Sequence, residues 1–198
     1  MRIVVLGVLL AAVVGTTAAS AQVENPWLIR ARGIAIIPDA SSSPRGLDVD
    51  ADGTVELDIT RFLHRNIAVE LVLASAGHEV TMQEVGGEVS LGSVNVLPPT
   101  LVLQYHPLPE GKFRPYIGAG GNLTVFYTKT GDLDALDLDE SFSWAAQAGF
   151  DIPISKRAVF NVDAKYIDMN TSVKSGGTKV FDLDINPIVV GIGIGYRF

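Results

Sequence analysis

Residues 188–198 read Ile188-Val189-Val190-Gly191-Ile192-Gly193-Ile194-Gly195-Tyr196-Arg197-Phe198. Every second residue from Ile188 to Phe198 is large and apolar; between them stand Val189, three glycines and Arg197. Successive side chains of a strand point to opposite faces. The stretch therefore predicts one strand with a continuous apolar face and a second face that is small and carries one charge. Its length exceeds the five or six residues usual in a soluble sheet and matches a tilted strand crossing hydrocarbon.

The same period of two recurs upstream. Ile29, Ala31, Gly33, Ala35 and Ile37 alternate with Arg30 and Arg32, and Val55, Leu57 and Ile59 alternate with Glu56, Asp58 and Thr60. Ile67, Val69, Leu71 and Leu73 oppose Glu70, and Leu101, Leu103 and Tyr105 oppose Gln104 and His106. Ile117, Ala119, Leu123, Val125 and Tyr127 oppose Arg114, Tyr116 and Asn122. Trp144, Ala146, Ala148, Phe150 and Ile152 oppose Ser143, Gln147 and Asp151; Phe160, Val162, Ala164 and Tyr166 oppose Asn161, Asp163 and Lys165. These segments predict an all-β fold: an eight-stranded antiparallel up-and-down transmembrane β-barrel, closed because lipid offers no partner to an open edge. A soluble barrel of the lipocalin kind would put its apolar side chains inside. Here Arg30, Arg32, Asp58, Glu70, Arg114, Asp151, Asp163, Lys165 and Arg197 share the face opposite the apolar rows. In eight strands that face encloses a narrow interior where opposite charges can pair.

The connections alternate in length. Residues 63–66, 107–112 and 154–157 are short, whereas 38–53, 77–92, 128–141 and 170–182 are long and polar. Short periplasmic turns and long outer loops are the habit of such barrels, which puts both termini on the periplasmic side. Aromatic residues such as Trp27, Tyr105, Trp144 and Phe198 fall near strand ends, where girdles form.

The first 21 residues differ in kind. Arg2 precedes an apolar core from Ile3 to Val14, and Ala19-Ser20-Ala21 is a small-x-small site before Gln22. The pattern is that of a secretory signal peptide. Its apolar core is too short for a comfortable membrane anchor. The expected organisation is a cleaved leader over 1–21 and an outer-membrane barrel over 22–198. Loss of Arg2 removes one of 15 cations and takes the net charge from −7 to −8. An acidic chain does not suit nucleic acid, and the absence of cysteine excludes disulfides and thiolate metal sites.

Several stretches in order resemble the OmpW family of outer-membrane proteins. They are Val96-Leu97-Pro98-Pro99-Thr100-Leu101 running on to Gln104-Tyr105-His106, and Arg114-Pro115-Tyr116-Ile117-Gly118-Ala119-Gly120. Further on come Gln147-Ala148-Gly149-Phe150-Asp151, Asn161 to Asp168, Ile185-Asn186-Pro187, and Gly195-Tyr196-Arg197-Phe198. The resemblance implies a Gram-negative outer-membrane location and a link with uptake of small hydrophobic molecules, alkane-uptake proteins being in the same family. It also implies that Phe198, closing an apolar-aromatic strand, serves as the signal read by the barrel assembly machinery. Expected partners are outer-membrane lipids and lipopolysaccharide, small hydrophobic solutes and that machinery, with no nucleic acid.

The topology assigns each inward residue a height. The lower inward set is Arg30, Arg32, Asp58, Thr60, Glu70, Gln104, His106, Arg114, Gln147, Asp151, Asp163, Lys165 and Arg197. The upper set is Ile34, Ile36, Val94, Val96, Phe126, Ile167, Met169, Ile185 and Val189. The interior is thus expected to be a charged floor beneath an apolar lumen. Such a lumen suits capture of a nonpolar molecule, since burial of apolar surface gains about 25 cal/mol per Å²; plain barrel filling would use the same residues. Pro98 and Pro99 cannot donate to a strand ladder and mark a candidate lateral exit, or a bend that only shapes the wall.

Other motifs carry less. Asp48 to Gly53 opens like a calcium loop but has Ile59 at the position of the bidentate Glu, and it reads as an acidic turn. Asp132 to Glu140 is a second acidic loop, where divalent cations could bridge to lipopolysaccharide. His78 near Ser75 or Ser90 lacks a nucleophile motif. No cofactor and no enzymatic role are expected. The alternative function is a structural or receptor barrel whose loops bind a phage, toxin or surface partner.

Overall fold

The computed structural model describes residues 23–37, 47–48, 52–74, 76–84, 87–129, 136–138, 141–175 and 178–198. In chain order the strands are β1 (Trp27–Ile37), β2 (Leu47–Asp48), β3 (Asp52–His64), β4 (Ile67–Ala74), β5 (Ala76–Glu84), β6 (Gly87–Leu97) and β7 (Thr100–Tyr105). There follow β8 (Arg114–Lys129), β9 (Leu136–Leu138), β10 (Ser141–Pro153), β11 (Ala158–Ile167), β12 (Met169–Ser175), β13 (Thr178–Ile185) and β14 (Ile188–Arg197).

Eight of these are barrel staves. They neighbour one another in the order β1-β3-β4-β7-β8-β10-β11-β14, every pair is antiparallel, and β14 returns to β1. The closing seam runs from Leu28↔Arg197 to Ile37↔Ile188. Below it Trp27 and Phe198 exchange two backbone hydrogen bonds of 3.1 and 2.9 Å. The barrel thus leaves no free edge along its wall, as lipid requires.

The side chains follow the alternation. On β1 the burial pattern alternates from Leu28 to Ala35, with Arg30 and Arg32 buried and Ile29 and Ala31 outward. Leu57, Leu103, Ile117, Ile192 and Ile194 stand exposed on the outer surface. Large apolar side chains outside and fully buried arginines inside are the reverse of a soluble protein and fit a lipid-facing wall.

Two stretches expected as loops are largely strand. Residues 76–97 form the hairpin β5–β6 and residues 169–185 the hairpin β12–β13. Beyond the bilayer a hairpin needs no apolar row, so the signal that revealed the staves is absent there. Both hairpins prolong the register of the staves below. The β4–β7 ladder ends at Val72↔Thr100 and resumes as Ala76↔Val96. The β11–β14 ladder ends at Tyr166↔Ile188 and resumes as Met169↔Ile185. Each break coincides with proline, Pro98-Pro99 in the first and Pro187 in the second, which removes the donor that the ladder would need.

Candidate functional site

The lumen is layered. At the periplasmic end Leu28, Phe62, Ala68 and Val159 form a buried apolar cluster against which Val23 packs. Above it lies a network of charged and polar side chains from seven staves. Higher again, Ile34, Ala145, Ile167 and Val189 form a second apolar cluster, joined by Ile36 and Ala74. The expected charged floor therefore rests on a thin apolar layer of its own. Leu28, Phe62 and Val159 lie on the inward rows near the periplasmic ends of β1, β3 and β11.

The middle layer is organised by two arginines on β1. Arg30 makes a two-point contact with Asp151 (Nε–Oδ1 3.3 Å, Nη2–Oδ2 2.9 Å). It also donates through Nη1 to Asp58 at 3.1 Å, Thr60 at 2.8 Å and Glu70 at 3.2 Å. Arg32 pairs with Glu56 at 2.9 Å, Glu70 at 2.9 Å and Asp163 at 3.3 Å, and also with Asp58. Lys165 bridges Glu56 at 2.8 Å and Asp163 at 2.6 Å. Gln104 donates to Glu70 at 2.8 Å, and Gln147 and the Tyr116 hydroxyl each donate to Asp163 at 2.8 Å. Asn161 donates to Asp151 at 2.8 Å. The charges are buried yet paired, the condition under which a low-dielectric interior tolerates them.

Of the inward polar residues expected from the sequence, this layer gathers Arg30, Arg32, Asp58, Thr60, Glu70, Gln104, Gln147, Asp151, Asp163 and Lys165. His106 lies just below, bonded to Gln104 at 3.1 Å and stacked between Phe62 and Tyr116. Arg114 and Arg197 do not join the network. Arg197 lies over Phe62 at 4.0 Å, and Arg114 donates to the Gly111 carbonyl at 3.0 Å; both line a small pocket at the periplasmic mouth. Glu56, Tyr116 and Asn161 are network members that the height assignment left out. Each sits on an inward row, so the alternation contained the signal.

The eighth stave, β14, contributes space. Its inward glycines 191, 193 and 195 stand opposite Ile34, Arg32 and Arg30 on β1. On its other side they face Asp163, Asn161 and Val159 of β11. Eight strands enclose little volume, and two guanidiniums fit because their neighbours in the ring have no side chain.

Of the upper lumen set, Ile34, Ile167 and Val189 share one buried cluster, and Ile36 packs against it. The side chains of Val94, Val96, Phe126, Met169 and Ile185 lie outside the described residues, although the backbone puts Val94 and Val96 on β6 and Met169 and Ile185 in the β12–β13 hairpin. The acidic stretch 132–140 also lies outside them apart from 136–138, as do parts of 48–53.

At Pro98-Pro99 the ladder is interrupted on one side. The chain stays attached to β8, where Leu123 N–H donates to the Pro99 carbonyl at 3.0 Å. Among the described residues, Leu73 and Ala74 make no ladder pair with residues 97–99 across this seam. The β3–β4 ladder ends at the same height, at Glu56↔Ala74. The carbonyl of Pro98 is taken up by the Thr100 hydroxyl at 3.1 Å and Asn122 Nδ2 at 3.2 Å. A break whose freed acceptor has inward partners is part of the design of the wall. Ala74, the last residue of β4 before it, packs on the upper apolar cluster.

Comparison with known proteins agrees with this construction. The chain is 37% identical over 187 residues to the outer-membrane protein y4mB of Sinorhizobium fredii, covering 88% of this chain and 80% of that one. It is 29% identical to outer membrane protein W of Vibrio cholerae over the full length of both. A shorter match, 29% identical over 56% of this chain and 54% of the relative, is to the dibenzothiophene metabolism operon protein PahQ of Pseudomonas aeruginosa. Among solved structures, the outer membrane protein OprG of Pseudomonas aeruginosa superposes with a TM-score of 0.70 at 29% identity, over 87% of this chain and 95% of that one. The OmpW family model matches residues 25–198. With its closed eight-stave wall, its lipid-facing apolar rows and this match across all the staves, the chain belongs to the OmpW family and is a β-barrel of the Gram-negative outer membrane.

Proposed function

We propose that the barrel admits small nonpolar molecules from outside into its upper apolar lumen and releases them sideways into the membrane at the Pro98-Pro99 break. The observation that carries this reading is a juxtaposition. A lumen closed below by paired charges has an apolar cluster directly above, and beside that cluster Ala74, still paired with Glu56 on β3, has no ladder partner on its other side, at Pro98-Pro99. A solute arriving from above meets no continuous water-filled path downward, because the network around Arg30 and Arg32 draws buried side chains from seven staves. It gains desolvation energy in proportion to the apolar area it buries, and lipid lies at the same height through the break. The family supports the reading, and one relative takes its name from an operon for metabolism of dibenzothiophene, a nonpolar aromatic. In this reading the chain is made with a leader ending at Ala21, is assembled through its Phe198 terminus by the barrel assembly machinery, and has no catalytic role.

The test pairs an inward with an outward substitution. Ile36→Asp should leave a folded, heat-modifiable barrel and lower uptake of a nonpolar solute by roughly tenfold, since about 1.4 kcal/mol lost from solute binding is already a factor of ten. Ile192→Asp, on the lipid-facing row, should instead destabilise folding by as much as about 2 kcal/mol near the bilayer midplane. If Ile36→Asp folds and takes up solute at the native rate, the lumen is not the route, and a receptor role for the outer loops becomes the better reading.

A further inference from the structure

The small pocket at the periplasmic mouth has a lining that the charged network above it does not explain. Leu28, Phe62 and Val159 give it apolar walls. Two cations stand in it, Arg114 at the start of β8 and Arg197 at the end of β14. The cations of the network, Arg30, Arg32 and Lys165, all have carboxylate partners. Among the described residues, Arg114 and Arg197 have none within ion-pair distance. Arg114 gives its Nε to the Gly111 carbonyl at 3.0 Å, and Arg197 stacks on Phe62 with its Cζ 4.0 Å from the ring centre. The Nε of Arg197 is buried and has no hydrogen-bond partner. Asp151 also lines the pocket, but it is committed: its Oδ1 accepts from Arg30 and Asn161, and its Oδ2 from Arg30.

These features ask for an anion of a particular kind. Stacking on a ring occupies the face of a guanidinium and leaves its N–H edge for an acceptor. A buried donor is costly to leave unmade, and two cations lining one pocket gain from a shared negative charge. The planar fork of arginine matches a carboxylate. The pocket is small, its enclosed part taking on the order of one or two water-sized groups. That suits the two oxygens of a carboxylate better than a phosphate dianion, which is larger and would bring a second negative charge beside Asp151. The apolar walls suit a nonpolar body attached to the carboxylate. Arg197 pairs with Leu28 across the seam and shares its inward face, so the pocket is reached from the periplasm and not from hydrocarbon. Its occupant is therefore a soluble molecule.

We propose that the periplasmic mouth binds small organic carboxylates, with Arg114 and Arg197 holding the carboxylate and the apolar walls taking the nonpolar body. The paired charges above separate this pocket from the upper lumen. The inference is therefore independent of the transport reading.

The test uses the whole barrel, residues 22–198, with isotope-labelled arginine in nanodiscs of phosphatidylcholine. Sodium benzoate replaces sodium chloride at constant ionic strength, and NMR follows the Nε–H signal of Arg197, identified by its loss in Arg197→Lys. The signal should shift along a saturable curve. Benzyl alcohol, the same ring without the charge, should bind at least about tenfold more weakly, as should benzoate to Arg114→Gln, each lacking one side of a charge-assisted pair. Arg65→Gln, which alters only a water-exposed pair with Glu110, should leave the curve unchanged. Inorganic phosphate should compete more weakly than benzoate. A response that does not saturate, equal binding of benzyl alcohol, or undiminished affinity in folded Arg114→Gln would overturn the proposal. Phosphate competing as well as benzoate would overturn the assignment to carboxylates. The comparison of benzoate with benzyl alcohol needs only the native barrel, so it decides even where a variant folds poorly.

Discussion

Arg32→Met should lower the stability of the folded barrel by about 3–5 kcal/mol, the usual cost of deleting one partner from a buried ion network. Arg32 is the cation shared by Glu56, Asp58, Glu70 and Asp163, and its side chain is fully buried. Methionine fills a similar volume, so the loss would come from charge and not from a cavity. Arg30 and Lys165 alone would then face five buried carboxylates, with Asp151 already committed to Arg30. Urea unfolding in lipid vesicles, followed by tryptophan emission, gives the midpoint. Two controls fix the cause. Adding Asp58→Asn and Glu70→Gln to Arg32→Met should recover part of the loss, because the orphaned charges are gone while the hydrogen-bonding shape remains. Arg65→Met, which breaks the water-exposed pair with Glu110, should cost less than about 1 kcal/mol. A loss from Arg32→Met no larger than that from Arg65→Met would mean that the network is not what holds the staves together.

What the sequence makes legible is set by how local the physics is. The alternation of Ile29, Ala31, Gly33 and Ala35 with Arg30 and Arg32 is a property of one strand, and the burial pattern of β1 follows it; on β4 it fails at Leu71, which stands in the apolar row and is buried. The hairpins over 76–97 and 169–185 were not legible, because strands standing in water are under no demand for an apolar row. The partners across the lumen were not legible either. Arg30 and Asp151 are 121 residues apart and sit on β1 and β10, which are not neighbours in the wall. Their contact depends on barrel radius and stagger, quantities that no single segment encodes. Glu56 shows the boundary between the two. Its inward direction follows from its place between Val55 and Leu57, but its role as the link from Arg32 to Lys165 follows only from closure. Pro98-Pro99 was legible as a ladder break. That the break faces β4 and β5, with Asn122 and Thr100 taking up the Pro98 carbonyl, was not.

Closure also explains the glycines of the terminal strand, and with them the second large expected effect. Gly193→Ala should destabilise the barrel by at least about 3 kcal/mol, the upper range for overpacking a core, and more where backbone must move. A methyl at Gly193 would collide with the carbonyl oxygen of Ala31 and lie 2.7 Å from Cα and 2.8 Å from Cγ of Arg32. The obstructing atoms are the backbone of β1 and the stem of an arginine pinned by four carboxylates, so neither can yield cheaply. Gly33 is the matched control. It is on β1 one residue from Arg32, pairs with Ile192, faces outward, and has nothing within 4 Å of an added methyl. Gly33→Ala should be neutral or stabilising by about 0.4–1 kcal/mol, through loss of unfolded-state freedom alone. Two substitutions of the same chemistry on adjacent paired strands are thus expected to differ by several kcal/mol, and the sign turns on which face of the wall they occupy. Urea midpoints measured side by side decide it. If Gly193→Ala unfolds at the native midpoint, the lumen has room to spare beside Arg32, and the glycines of β14 need another explanation. If it does not, the narrow lumen of eight strands holds a seven-stave polar network because the eighth stave brings no side chains beside the arginines.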